Sequence, residues 1–557
     1  MRIINKIQIL VTALLMGTVS CTYIDIAEKP VTTGPDSNDM SYISLSINTG
    51  IGTRAAQVPP GANMEDVVTS VRMVLYGADD HIVKYAFDFN IQNNSSLTGF
   101  IQYDGVHPIY GDYLYNGNLG NSRFITFARP VAYADYDMLI IINPYPQGVP
   151  KAIIVAKQVG NNPIMTRSGD DNLDILDVTK VGEPLSRLLE PVYQSDTDFG
   201  GSKSNAPVFE SGFVMTNFKG LVYVPKSSLG NSIDDANENP IPVTVERVAT
   251  KVQVVNANAG YNLTTTDPTA EALYPTWRLN TTNNWFYWMR KFAPIINLDG
   301  TQGPMETPTD LNRVQLYAID PNYSGMTDAN GGSAGKRAAN FQYAIDKVLS
   351  DEYGSIVNLG NSLGGVEYAL ENTMEVNEQE DGVMTSVLIG LHYVPAGYYS
   401  HNSYFVYNNV VISISEMVGY ATNPGSIPSG LAGLAAAINS VMNDPDDPID
   451  LTNVGFLSWS LDYGFETTDG LKFFYECRNY YSVNIRHSSF GDISQPMYAR
   501  YGIVRNNHYI IKLQNVSGFG SPTATYPAEM SAEISIQPWG KYTQEENVGE
   551  EGEVIGR

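Results

Sequence analysis

Apolar and polar residues alternate over much of this chain with a period of two, the spacing of half-buried strands. In SYISLSINTGIGTR, Ser41 to Arg54, the residues Ile43, Leu45, Ile47 and Ile51 share one parity and so one strand face. A Pro/Gly-punctuated segment precedes this strand and AAQVPPGANMED follows it, which sets it apart from the rest. From Val67, VVTSVRMVLYGADDHIVKYAFDF predicts a hairpin turning at Gly77-Ala78-Asp79-Asp80, and MLIIINP predicts a buried central strand. GFVMTN (212–217) and PVTVERVATKVQVV (242–255) continue the strand pattern up to a loop-like stretch, NANAGYNLTTTDP, where a domain boundary is expected.

The second half opens with TWRLNTTNNWFYWMR, a predicted hairpin offering Trp277 and Trp285 to a core. Helical spacing surfaces in RAANFQYAIDKVLS, from Arg337, and within Gly430 to Met442. The strands TSVLIGLHYV and VVISISEMV lie around these helices, so they read as decorations on a sandwich. With 36 tyrosines, 49 glycines and 31 prolines, the composition suits many short strands joined by tight turns. The expected class is all-β, and 557 residues suffice for two or three domains.

Arg2 and Lys6, the apolar run Ile7 to Met16 and the exit Gly17-Thr18-Val19-Ser20-Cys21 have the order of an export signal. Cys21, directly after small residues, is the expected lipidation site. The remaining cysteine, Cys477, leaves no internal disulfide framework. A net charge of -26 argues against nucleic-acid binding, because phosphate backbones are held by clustered positive charge.

Candidates for chemistry are weak. The six histidines include no i, i+4 pair with an intervening glutamate. The acidic runs at 170–177 and 444–450 lack the glycine and glutamate positions of a calcium loop and read as solvated turns. No nucleophile elbow, phosphate loop or dinucleotide fingerprint stands at a strand-to-helix junction. Among 59 acidic residues no pair singles itself out as a glycosidase dyad, and the tyrosines read as strand packing before sugar stacking. The expectation is a non-enzyme without metal or cofactor.

Two features at the ends stand out. Arg54 follows the isolated strand and precedes Ala55 in an open linker, where an arginine-specific protease would excise the strand as one unit. Ala532 to Trp539 alternates again before an acidic tail, QEENVGEEGEVIG.

Several segments resemble the fimbrillins of Bacteroidales, the major and accessory subunits of type V pili. They are GFVMTN, VERVATKV, the WRLN stretch, YALENT (368–373), YYSVNIRH (480–487), YGIVRNNHYIIKLQNVSGFGSP (501–522) and EISIQPW (533–539). They run in family order along most of the chain, while Pro294 to Val366 matches poorly.

The resemblance implies two transthyretin-like β-sandwich domains with short helical insertions, lipoprotein export, cleavage after Arg54, and polymerisation by donor-strand exchange. The implied layout is a signal peptide (1–21), a propeptide with the removable strand (22–54), an N-terminal sandwich (55–258) and a C-terminal sandwich (259–557). The last would end in a donor strand near 531–543, built on Ile534, Ile536 and Trp539, and the acidic tail. Implied partners are further copies, related fimbrial subunits, the protease, and host or bacterial surface ligands. The implied place is a surface fimbrium, reached through an outer-membrane lipid-anchored precursor. A tip or accessory adhesin on the same fold and a lipid-anchored surface hydrolase are the alternatives.

Overall fold

The computed structural model describes residues 40–48, 70–90, 92–93, 99–100, 123–125, 128–144, 153–154, 158–159, 162–163, 175–194, 213–218, 220–258, 260–291, 317–344, 359–461, 463–488, 495–530 and 532–538. Cys21, Ile51, Arg54, Ala55, Trp539, the acidic tail and much of the 294–366 region lie outside them.

In the N-terminal half the strands are β1 (Met40–Ile43), β2 (Leu45–Asn48), β3 (Ser70–Gly77), β4 (Val83–Asn90), β5 (Arg123–Ile125), β6 (Arg129–Ala132) and β7 (Tyr136–Ile142). They are followed by β8 (Met215–Asn217), β9 (Val222–Val224), helix α1 (Ile233–Glu238) and β10 (Ile241–Arg247). Seven strands run in the order β4-β3-β7-β8-β10-β2-β5, and β9 pairs with the free half of β7 beside β8. Inward residues from both ends of this order meet in one core that includes Ile47, Val71, Met73, Ile140 and Val243. The sheet therefore folds over upon itself. The β3–β4 hairpin turns at 78–80 as its sequence predicts.

Strand β7 is buried on both faces, which its unbroken apolar run anticipates. Met138, Ile140 and Ile142 enter the first core, whereas Leu139 and Ile141 enter a second one with Phe286, Trp288 and Leu370. Between β8 and β9 the ladder along β7 is interrupted. Asn217 fills the gap: its carboxamide accepts from the Ile140 N–H and donates to the Met138 carbonyl, both at 2.8 Å. The side chain thus does for β7 what a peptide group of an intact strand would do.

The second sandwich uses β11 (Ala249–Asn256), β12 (Glu271–Asn280), β13 (Val366–Leu370), β14 (Ser386–Val394), β15 (Arg478–Asn484), β16 (Asn507–Leu513), β17 (Ala528–Glu529) and β18 (Ala532–Pro538). One sheet is β13-β11-β16-β18; the other runs from the short strand 361–362 through β12-β14-β15 to β17. Trp277, Ile389, Tyr481, Tyr509 and Ile511 pack between them. Because β11 pairs with β13 and β16, it belongs to this sandwich. The junction between the halves is therefore Val248, upstream of the loop where the boundary was expected. The expectation failed because β10 and β11 form one continuous apolar alternation that serves two cores.

The predicted TWRLN…WMR hairpin is also corrected. β12 pairs with β14, while Trp285–Phe286 crosses to 192–194 in the N-terminal half. VVISISEMV is half strand and half helix: Val410–Ser413 is extended, and Ser413 with Glu416 forms a capping box that starts the helix Ile414–Thr422. That helix joins Leu434–Met442, Val454–Trp459 and a four-stranded sheet around a separate core of Phe405, Met417, Leu434, Leu457 and Phe473. The insertion between β14 and β15 is thus a small α+β unit with its own interior, more than a decoration.

Charges are buried where the halves meet. Arg290 grips Glu246 through Nε and Nη2 at 2.8 and 2.5 Å. Arg505 reaches Glu371 at 3.3 Å and the Tyr287 carbonyl at 2.9 Å. Asn506 accepts from Arg247 at 3.4 Å and donates its own N–H to the Ala249 carbonyl at 2.8 Å. Each arginine lies against acceptors, as desolvated guanidinium requires. Removing one partner strands a charge in the interior, which costs about 3–5 kcal/mol. Glu371→Ala should therefore lower the thermal midpoint of both sandwiches together, followed by calorimetry; separate transitions with only the C-terminal one displaced would contradict a shared junction.

Candidate functional site: the groove filled by the first strand

The segment Met40–Asn48 crosses the N-terminal domain as two strands joined at Ser44, each with its own neighbours. β1 pairs antiparallel with β6, Tyr42 facing Pro130 and Ile43 facing Arg129. β2 lies between β10, to which it is parallel, and β5, to which it is antiparallel. At the changeover the Ser44 carbonyl accepts from the Ile241 N–H at 2.9 Å, and the Ser44 hydroxyl donates to the Ala236 carbonyl of α1. Tyr42 exchanges both backbone hydrogen bonds with Gly230, at 2.9 and 2.8 Å. Gly230 in turn lets α1 pack close, because a Cβ there would stand 2.6 Å from the Ala236 nitrogen.

Ile43, Leu45 and Ile47 are fully buried in the first core, on the common face their spacing predicted. Burying three such side chains contributes about 5–9 kcal/mol before ordering costs. The opposite face departs from a simple half-buried strand. Ser44 and Ser46 on that face are 1 and 4% exposed, so the groove closes over both sides of the strand there. The hydroxyls of Ser41 and Ser46 have no hydrogen-bond partner among the described residues. Space there admits only small side chains. The signal was present as a run from Met40 to Asn48 without one charged residue, in which serine recurs between aliphatics.

β18 is docked within its own subunit instead of projecting from it. It is the end strand of its sheet, antiparallel to β16, with Ile534 opposite Ile511 and Ile536 opposite Tyr509. Ile536 is buried and Ile534 half-buried against the C-terminal core. On the outer side Glu533 pairs with Lys512 at 2.9 Å. The structure thus places Ile43, Leu45 and Ile47 in one core and Ile534 and Ile536 in another. Cys21, Ile51, Arg54, Ala55 and Trp539 lie outside the described residues.

The remaining candidates have structural surroundings. Asp444 accepts from the N–H groups of Asp446 and Asp447, and Asp450 from that of Thr452, so both carboxylates cap turns. His392 contacts the Glu476 carbonyl at 2.7 Å and His487 the Tyr509 hydroxyl at 2.6 Å. Cys477 is buried and donates to the carbonyls of Tyr399 and Asn402; burial pushes its thiol up to about 12.

Residues 472–545, which run from beside the insertion through β15, β16, β17 and β18, match the model of the fimbrillin C-terminal region of the major fimbrial subunit protein type IV. Over that stretch the chain is similar to the fimbrillins. No curated protein sequence matches it. Among solved structures, the chain is similar to the tip fimbrial protein Mfa3 from Porphyromonas gingivalis (11% identity, 90% of this chain and 100% of that one, TM-score 0.33). It is also similar to a fimbrilin, fimA, of the same species (13% identity, 89% and 97% covered, TM-score 0.34). The motifs that carried the resemblance now have a physical place. VERV supplies Glu246 and Arg247, YALENT supplies Glu371, VRNN supplies Arg505 and Asn506, and GFVMTN ends in Asn217. Sequence reading took them as marks of kinship and missed that most of them converge on one buried junction.

Two outcomes follow for the full-length chain. Ser44→Leu overfills the groove at the Ala236 contact and should destabilise the N-terminal domain by about 1–3 kcal/mol, read from its thermal transition. Cys477 should resist alkylation in the native protein and react after denaturation; rapid native labelling would contradict its burial.

Proposed function

We propose that this chain is a structural subunit of a cell-surface fimbria, exported as a lipoprotein on Cys21, trimmed after Arg54 and polymerised by strand exchange. The observation that carries the reading is the position of β2. A strand from before residue 49 sits between β10 and the end strand β5, paired on both sides, and a sequence containing Arg54 joins it to everything that follows. Loss of that strand leaves β10 with an open edge above an apolar slot, a template for β-augmentation. Donor and acceptor surfaces differ, so the contact is heterologous and propagates into a filament. The partners are further copies and related subunits, with an arginine-specific protease for maturation.

A second reading, an accessory or tip adhesin, draws on the insertion at residues 404–474, whose separate core lets it vary without disturbing the sandwich. Labelling along intact fibres separates the two, since a tip protein marks ends alone. A surface hydrolase is the least favoured, for want of a catalytic constellation in the sequence.

Folded precursor should remain monomeric, and cleavage after Arg54 should yield high-mass filaments by light scattering. Trimmed protein that stays monomeric under all assembly conditions would reject strand exchange. Truncation before Ser531 should abolish elongation, and N-terminal sequencing of surface-extracted protein should begin at Ala55 rather than acylated Cys21.

A further inference from the structure

The loop NANAGYNLTTTDP, expected from its composition to separate two domains, is folded onto the C-terminal sandwich between β11 and β12, with Thr264 paired to Asn515. From Asn256 to Thr266 it holds no charged residue, in a chain whose net charge is -26. Asn256 fixes its course: the carboxamide donates to the Gly260 carbonyl at 3.0 Å and to the Asn262 carbonyl at 2.8 Å. Between these two anchors stands Tyr261, 52% exposed.

A second tyrosine is turned outward beside it by a β-bulge. β12 and β14 pair in one register as far as Leu273 opposite His392 and in another from Thr276 opposite Gly390, so Tyr274 and Pro275 together stand against Leu391. Ala272 lies in the core, and an unbroken strand would send Tyr274 to the same inward face. The bulge reverses this. Trp277 becomes the next inward aromatic and Tyr274 is 48% exposed. The cost is local strain, since Tyr274 sits at φ 53°, a left-handed conformation that bulky side chains rarely adopt. Two contacts hold it there: Asn262 accepts from the Tyr274 N–H at 3.1 Å, and the His392 ring meets the Tyr274 ring edge-on at 5.9 Å. Tyr261 and Tyr274 each lie two residues from the Leu263–Ala272 bridge, on the same end of it. The loop adds a row of exposed polar groups, in which Asn258 donates to the Thr264 hydroxyl at 3.1 Å and that hydroxyl donates to the Asn515 side chain.

We propose that this surface binds a short neutral oligosaccharide, with sugar rings packed on Tyr261 and Tyr274 and hydroxyls bonded by Asn258, Thr264 and Asn515. A sugar presents C–H faces that suit aromatic rings and hydroxyls that both donate and accept, as carboxamides and threonine do. An uncharged loop offers no ion pair to a basic protein partner, and the flanking Asp267 and Glu271 repel sialylated or sulfated glycans. The strain at Tyr274 then has a use, because it turns toward solvent a ring that regular pairing would bury. His392 also reaches the Ser400 carbonyl at 3.1 Å, so the turn carrying Tyr399, 70% exposed, borders the site. The inference goes beyond the subunit reading: it requires neither cleavage after Arg54 nor assembly, and it stands whether or not trimmed protein polymerises.

The uncleaved full-length chain tests it on a printed array of neutral oligosaccharides of glucose, galactose and N-acetylglucosamine, with sialylated and sulfated counterparts. Binding should be confined to neutral members. Tyr261→Ala and Tyr274→Gly should each weaken it about tenfold, read by calorimetric titration of the best array ligand. Tyr274→Phe keeps the ring and should retain binding. Glycine accepts the backbone angle that tyrosine resists, so Tyr274→Gly should melt no lower than the parent while losing the sugar. A lowered midpoint with binding intact would make Tyr274 a packing residue and overturn its role. A parent chain that binds no neutral glycan, or binding that survives both Tyr261→Ala and Tyr274→Gly, overturns the site. Binding confined to sialylated or sulfated members overturns the ligand class.

Discussion

The N-terminal domain is complete because a strand from before residue 49 lies between β10 and β5 with Ile43, Leu45 and Ile47 in the core. β2 is paired on both sides, with β10 and with the end strand β5, both far along the chain, so its loss would cost main-chain hydrogen bonds on two sides as well as apolar burial. Both faces are enclosed, which is why the positions between the aliphatics are serines. A strand held this completely acts as a plug, and what fills its place must match it side chain by side chain.

The second constraint is the junction at Val248. β10 borders the groove through Ile241 to Thr244, and its next residues, Glu246 and Arg247, enter the buried charge cluster shared with the C-terminal half. One strand therefore touches the groove at one end and the domain contact at the other. Arg290 and Asn506 bind across the junction through groups with directional geometry, beside the Arg505–Glu371 pair, while Phe286, Trp288 and Leu370 pack on the outer face of β7. Apolar contact supplies area and the guanidinium forks supply orientation.

Much of the architecture was legible as alternation. The strand at 41–48, the hairpin at 70–90, the doubly buried run at 136–142 and the strand at 386–394 were each readable from their own residues. Failures came where one periodic run serves two partners. β10 and β11 read as a single strand region, and TWRLN with WFYWMR read as a hairpin, because periodicity reports that a residue is buried and says nothing of the core that buries it. The helix after Ser413 was missed although Ser413-x-x-Glu416 was available as a start signal. The chemistry-bearing motifs were visible as words, yet Glu246, Arg290, Glu371 and Arg505 are spread over nearly half of the chain, and no local rule pairs residues so far apart.

By itself the sequence determined the strand content, the inward face of the first strand, the alternation of the last one and the family resemblance, since each depends on local spacing or on motif identity. Only the tertiary structure decided that the first strand is paired on both edges and enclosed on both faces, that the C-terminal strand rests on its own domain, and that the family motifs meet as buried ion pairs. The physical reason is the same in each case. Strand pairing and charge pairing are contacts between segments distant along the chain, and the identity of the partner is set by how the whole core closes.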